Sequence, residues 1–104
     1  MDIISIDDLH ERIEELGNDE LVLDVRTPEE FGEGHIKGAR NSSHEEVKTI
    51  AEELRSFKTI YVHCKMGGRA QKAAETLEAE GLDNIVCVGK GGMQRWVEQG
   101  WPVE

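Results

Sequence analysis

The chain has 104 residues, a mass of 11.7 kDa, a formal net charge of -10 and a pI near 4.8. A chain of this size hides roughly two thirds of its unfolded surface, enough for one core and not two, so residues 1–104 are expected to form a single domain. The acidic balance argues against nucleic acid and anionic membranes as partners, because both demand a cationic surface, and no apolar run approaches the roughly 18 residues of a membrane span. The opening "MDIISIDDLHERIEEL" has no basic segment followed by a continuous apolar one, so the expectation is a soluble protein retained in the cytoplasm.

The first element is a short strand at Ile3 to Ser5, followed by a helix whose Leu9, Ile13 and Leu16 recur at i, i+4 and i+7 and stop at Gly17. Leu21 to Val25, "LVLDV", is nearly continuous in apolar residues, as a strand covered on both faces must be. Thr27, Pro28 and Glu30 then open a helix with proline at its first position. A brief strand near Ala39 to Asn41 precedes Ser43 and Glu46, which read as a capping box ahead of Val47, Ile50, Ala51 and Leu54.

The strand Thr59 to His63, "TIYVH", runs directly into "CKMGGR". Beyond it Ala70, Ala73, Ala74 and Leu77 mark the buried face of a helix that ends at Gly81, a left-handed cap. A strand at Ile85 to Val88 and a short helix in "GGMQRWVEQGWPVE", closed by Gly100 and Pro102, complete the chain. This alternation predicts a three-layer α/β domain built on a mainly parallel sheet flanked by helices.

The chemistry concentrates in Cys64 to Arg69. In open parallel sheets ligands bind beyond the carboxyl ends of the strands, which is where Cys64 falls, between a strand and a helix. Gly67 and Gly68 permit close approach of the backbone, and the free N–H groups of the following helix turn form an anion cradle. The helix start, Lys65 and Arg69 all favour the thiolate, the nucleophilic form of cysteine. The plain structural alternative, a buried filler cysteine with glycines that merely turn the chain, does not call for strand end, glycines and arginine together.

Other residues carry less. His63 adjoins Cys64, but consecutive strand residues face opposite sides, so its role is expected to be structural. Asp24 and Arg26, at the end of the second strand, are expected to tie loops together rather than admit an anion. Cys87 lies in an apolar strand and reads as core, and the two cysteines are not expected to form a disulfide. Trp96 is expected to pack the last helix on the sheet, with Trp101 partly exposed and His10 and His44 on the surface. Lys90, in a glycine-rich stretch after a strand, is a weak candidate for the pocket.

Four ordered blocks, "LVLDVRTPEEF", "FGEGHIKGARN", "CKMGGR" and "GGMQRWVEQGWPV", resemble the DxR, FxxxHIxGAxN, CxxGxR and GGxxxWxxxGxP segments of single-domain rhodaneses, from about Leu21 to Val103. The resemblance implies a central five-stranded sheet and a sulfurtransferase. Cys64 would take sulfane sulfur from a small anionic donor such as thiosulfate, or from a persulfide, and pass it to cyanide, a thiol or a sulfur-relay protein. It implies catalytic Cys64, with the backbone of Lys65, Met66, Gly67, Gly68 and Arg69 holding the outer sulfur and the donor, and with Lys65 and Arg69 adding charge at the pocket mouth. It also implies that His35 braces the fold near the active face. No metal or cofactor motif is present, and none is expected to be needed. The loop departs from the commonest family form at Ala70, where serine is frequent, which bears on substrate preference.

Two rivals stand beside this reading. A cysteine-dependent phosphatase or arsenate reductase also sets a thiolate in a backbone cradle with an arginine, but its loop has five residues between the two, whereas "KMGG" has four. A non-catalytic rhodanese-like module that binds partner proteins is the other, and such modules often lack the cysteine that is present here.

Overall fold

The computed structural model describes residues 1–104. Five strands, β1 (Asp2–Ser5), β2 (Glu20–Asp24), β3 (Arg40–Asn41), β4 (Thr59–His63) and β5 (Ile85–Lys90), form one sheet in the order β1-β5-β4-β2-β3, and every pairing is parallel. Five helices cover it: α1 (Ile6–Arg12), α2 (Pro28–Glu33), α3 (Ala51–Leu54), α4 (Gly68–Ala79) and α5 (Met93–Glu98). The architecture is the three-layer α/β sheet that the alternating pattern predicts, with β5 two residues longer than expected.

Strand alternation divides the core in two. Leu23, Val25, Ile60, Val62, Cys64 and Cys87 face α3 and α4, whose Ala51, Leu54, Ala70, Ala73, Ala74 and Leu77 are all buried. Val22, Tyr61 and Val88 face the other way, onto Ile6 and Leu9 of α1 and Met93 and Trp96 of α5. The three alanines keep α4 close to the central strands, and each fully buried leucine or isoleucine contributes roughly 1.5–3 kcal/mol.

Helix ends mostly follow local chemistry, although α1 gives way to a 3-10 turn at Ile13–Glu15 instead of running to Gly17. Thr27 and Glu30 form a reciprocal capping box on α2, each donating or accepting at 3.2 Å, and Ser5 with Asp8 forms a second on α1. Gly81 closes α4 at φ 93°, with the Leu82 N–H on the Leu77 carbonyl. The box expected at Ser43 does not form: the Ser43 carbonyl, not its hydroxyl, accepts from Glu46, and a 3-10 turn at Val47–Ile50 leads into α3. The cause is tertiary. Ser42 and His44 donate to Asp24 and Val25, which keeps this segment extended beside the end of β2.

His10, expected on the surface together with His44, which is likewise half-buried, corrects a further expectation. It is half-buried, stacked on Trp101 with centroids 3.8 Å apart, and it meets the edge of Trp96 at 5.3 Å. Trp96 itself is 2% exposed and donates through Nε1 to the Pro102 carbonyl at 2.8 Å, which folds the carboxyl-terminal residues back onto α5.

Two ion pairs tie the loops above the carboxyl ends of the strands. Arg26 binds both oxygens of Asp24, 2.7 Å at the shortest, and the Gly34 carbonyl at 2.8 Å; both side chains are buried. Arg69 on α4 forks onto Glu30 on α2 at 2.6 and 3.0 Å. His35 adds a brace by stacking on Phe31 and donating from Nδ1 to its carbonyl at 3.0 Å, while its backbone pairs in both directions with Glu104.

Asp24→Ala leaves the Arg26 guanidinium buried without its partner and is expected to cost about 3 kcal/mol in urea unfolding; a loss under about 1 kcal/mol would contradict the tie. The Arg69 guanidinium holds the Glu30 carboxyl down to about 2 from 4.5. A carboxylate depressed in the folded state stabilises fully above its unfolded value and loses that contribution as pH falls through the folded one. Wild type should therefore exceed Glu30→Gln by about 1 kcal/mol above pH 4.5, a figure reduced for the pair's contact with water, and the gap should close toward pH 2. A gap independent of pH would refute the linkage.

Candidate functional site

β4 is the middle strand of the sheet, and its last residues set the site. His63 and Cys64 point to opposite faces: His63 pairs in register with Asp24, and Cys64 turns toward α4. The Cys64 sulfur accepts the backbone N–H of Gly67 at 3.0 Å and of Ala70 at 3.2 Å, so it sits inside the loop at the amino end of α4. As first-turn residues of that helix, Gly68 and Arg69 have N–H groups with no acceptor within it.

Two glycines make the loop possible. Gly67 has φ 120°, and a Cβ there would collide with the Gly89 carbonyl on β5. Gly92 lies against the Cys64 and Lys65 carbonyls, where a Cβ has no room. Those two carbonyls accept from Met93 at 2.9 Å and Gln94 at 3.2 Å, so the first turn of α5 clamps the loop from behind.

The sequence-predicted residues divide. Cys64 is 1% exposed and Gly67 is buried, while Lys65, Met66 and Gly68 are open to solvent. Lys65 makes no ion pair, but Arg69, expected to offer its charge at the pocket mouth, is neutralised by Glu30. Burial pushes the His63 imidazole down; neither of its nitrogens has a hydrogen-bond partner, and Nε2 stands 3.9 Å from Asp24. Its environment fits the structural reading. Burial pushes the Cys87 thiol up, and both cysteines are free. Lys90 ends β5 beside Ser5 on the edge strand and is exposed.

A groove of about 460 Å³ adjoins the loop, with Arg26, Glu30, Glu33, Lys65, Val97 and Glu98 among its lining. No set of three or more histidine, cysteine or acidic side chains is arranged to hold a metal ion, and no helix is long and apolar enough to cross a membrane. Sequence reasoning missed the Glu30–Arg69 pair, because the capping box accounts for Glu30 locally and the two residues are 39 positions apart. It also missed the clamp by α5, whose one signal was the glycine pair before Met93.

The family model described as rhodanese-like domain matches residues 5–99. Among curated proteins the chain is similar to the uncharacterized protein YqhL of Bacillus subtilis, 40% identical over 72% of this chain and 59% of that protein. It is also similar to the thiosulfate sulfurtransferase GlpE of Pseudomonas putida, 32% identical over 73% of this chain and 68% of that one. The chain spans about half the length of several of these curated relatives. Among solved structures, a rhodanese-related protein from Thermoplasma volcanium superposes with a TM-score of 0.80 at 36% identity, covering 100% of this chain and 98% of that one. With the parallel five-stranded sheet and the cysteine loop at the end of its middle strand, these likenesses identify the chain as a member of the rhodanese-like domain family.

Proposed function

We propose that the chain is a sulfurtransferase working in the cytoplasm through a persulfide on Cys64. The observation that carries this reading is the pair of backbone N–H groups directed at the Cys64 sulfur at the start of a twelve-residue helix. These donors and the positive end of the helix dipole stabilise negative charge on the sulfur as it forms and breaks bonds during transfer. The thiolate attacks the sulfane sulfur of a donor such as thiosulfate; the donor's S–S bond breaks, sulfite leaves with the bonding pair, and Cys64 becomes a persulfide. An acceptor, cyanide or a thiolate, then attacks the outer sulfur and releases the Cys64 thiolate. The loop N–H groups of Lys65, Met66, Gly68 and Arg69 hold that outer sulfur while its charge changes.

One feature favours the second reading, a non-catalytic module that binds partner proteins: Cys64 is only 1% exposed, so a donor reaches it only through the loop. The two readings separate in one experiment. Mass spectrometry after incubation with thiosulfate should find one additional sulfur on the Cys64 peptide, lost on adding cyanide. Cys64→Ser should abolish both the adduct and turnover while leaving the free energy of unfolding within about 1 kcal/mol of wild type. A folded, reduced wild type that takes no sulfur from thiosulfate or from glutathione persulfide favours the binding module.

Arg69 supplies a second test. Glu30→Gln releases its guanidinium toward the loop mouth, and a half-buried ion pair of about 1 kcal/mol corresponds to roughly a fivefold fall in the KM for thiosulfate, with kcat changed less. An unchanged KM would remove Arg69 from the donor-binding residues.

A further inference from the structure

From the charge and apolar surface around the Cys64 loop, we infer that the partner in sulfur transfer is a cysteine of another protein, carried on a segment that combines basic with apolar residues. This inference rests on the sulfurtransferase reading and names its substrate class. Each arginine bordering the loop is already neutralised: Arg26 by Asp24, Arg69 by Glu30, and Arg95 by Asp7 at 2.7 and 2.9 Å. Lys65 is left as the free cation, and the exposed and unpaired carboxylates of Glu33 and Glu98 line the same groove. With a net charge of -10 behind them, these groups repel a small dianion and attract a cationic segment.

The apolar surface points the same way. Five large apolar side chains are exposed, and three of them border this region: Val97 and Val103 line the groove, and Met66, 66% exposed, lines a second cleft that shares Lys65, Gln94 and Glu98 with it. A small anion covers none of that area, whereas a peptide segment with an apolar side chain beside its cysteine does. Depth sets the remaining requirement. Because Cys64 is buried, the acceptor thiolate meets the outer sulfur of the persulfide at the loop, where a chain docked on the rim holds its cysteine in place. The partner's thiolate forms a bond to that sulfur, the Cys64 S–S bond breaks, and Cys64 leaves as thiolate; sulfane sulfur changes carrier with no net oxidation.

The test uses the whole chain, loaded on Cys64 by glutathione persulfide and checked by mass spectrometry. Two acceptor peptides are compared, each with leucines beside a central cysteine, one flanked by lysines and its twin by glutamates. At low salt, transfer to the lysine peptide should be about tenfold faster, and the ratio should fall toward one in high salt. In the exposed double variant Glu33→Lys with Glu98→Lys the preference should vanish or reverse. Replacing the leucines of the lysine peptide by serines should slow transfer in wild type and have less effect in Val97→Ser. A loaded protein that transfers equally to both twins at low salt overturns this inference and leaves the sulfurtransferase reading intact. A protein that never loads overturns that reading, and this inference with it.

Discussion

The carbonyl groups of Cys64 and Lys65 must find donors, and the direction in which they find them decides the shape of the loop. They turn back to the first two N–H groups of α5, from Met93 and Gln94. In a planar trans peptide the N–H points opposite to the C=O, so the N–H groups of Lys65 and Met66 turn away from α5. Gly67 and Ala70 complete the turn by donating to the sulfur. All of this depends on Gly92, since any Cβ there would separate α5 from the loop. The last helix is therefore part of the site's construction although no side chain of it touches the sulfur through a hydrogen bond.

A parallel sheet explains why so many charges meet in one place. Every strand ends on the same edge, so the loops after β2 and β4 converge there, and their polar groups need partners where water is scarce. Asp24 and Arg26 satisfy one another and reach the Gly34 carbonyl; Glu30 and Arg69 join α2 to α4. This pairing makes the edge rigid and also removes two guanidinium charges from service to an incoming anion. Structural order and anion affinity compete for the same residues, and in this chain order prevails, which leaves a rim of carboxylates, one lysine and apolar side chains.

Much of this was legible because it is local. Period-two and period-3.6 apolar patterns mark the strands and the face of α4, while Thr27 with Glu30 and Gly81 announce helix ends through contacts within a few residues. The alternation of strand side chains was enough to turn His63 away from Cys64, and His63 is indeed buried beside Asp24. Where reading failed, a distant contact competed with a local one. Ser43 has the residue type for a cap but is held by the end of β2, and His10 has the polarity of a surface residue but a flat face that Trp101 covers.

The order of blocks, the strand-end cysteine, the four-residue spacing to Arg69 and the acidic balance are properties of the sequence alone, since each depends on residue type and short-range spacing. Strand order, the clamp by α5 and the ionic state of the site arise only when the chain closes on itself. Arg69 is the clearest case: from its neighbours it is a free cation beside a nucleophile, and only the approach of α2, 39 residues earlier, supplies the carboxylate that neutralises it. A charge acts on whatever is near in space, and nearness across such a distance is set by packing rather than by sequence.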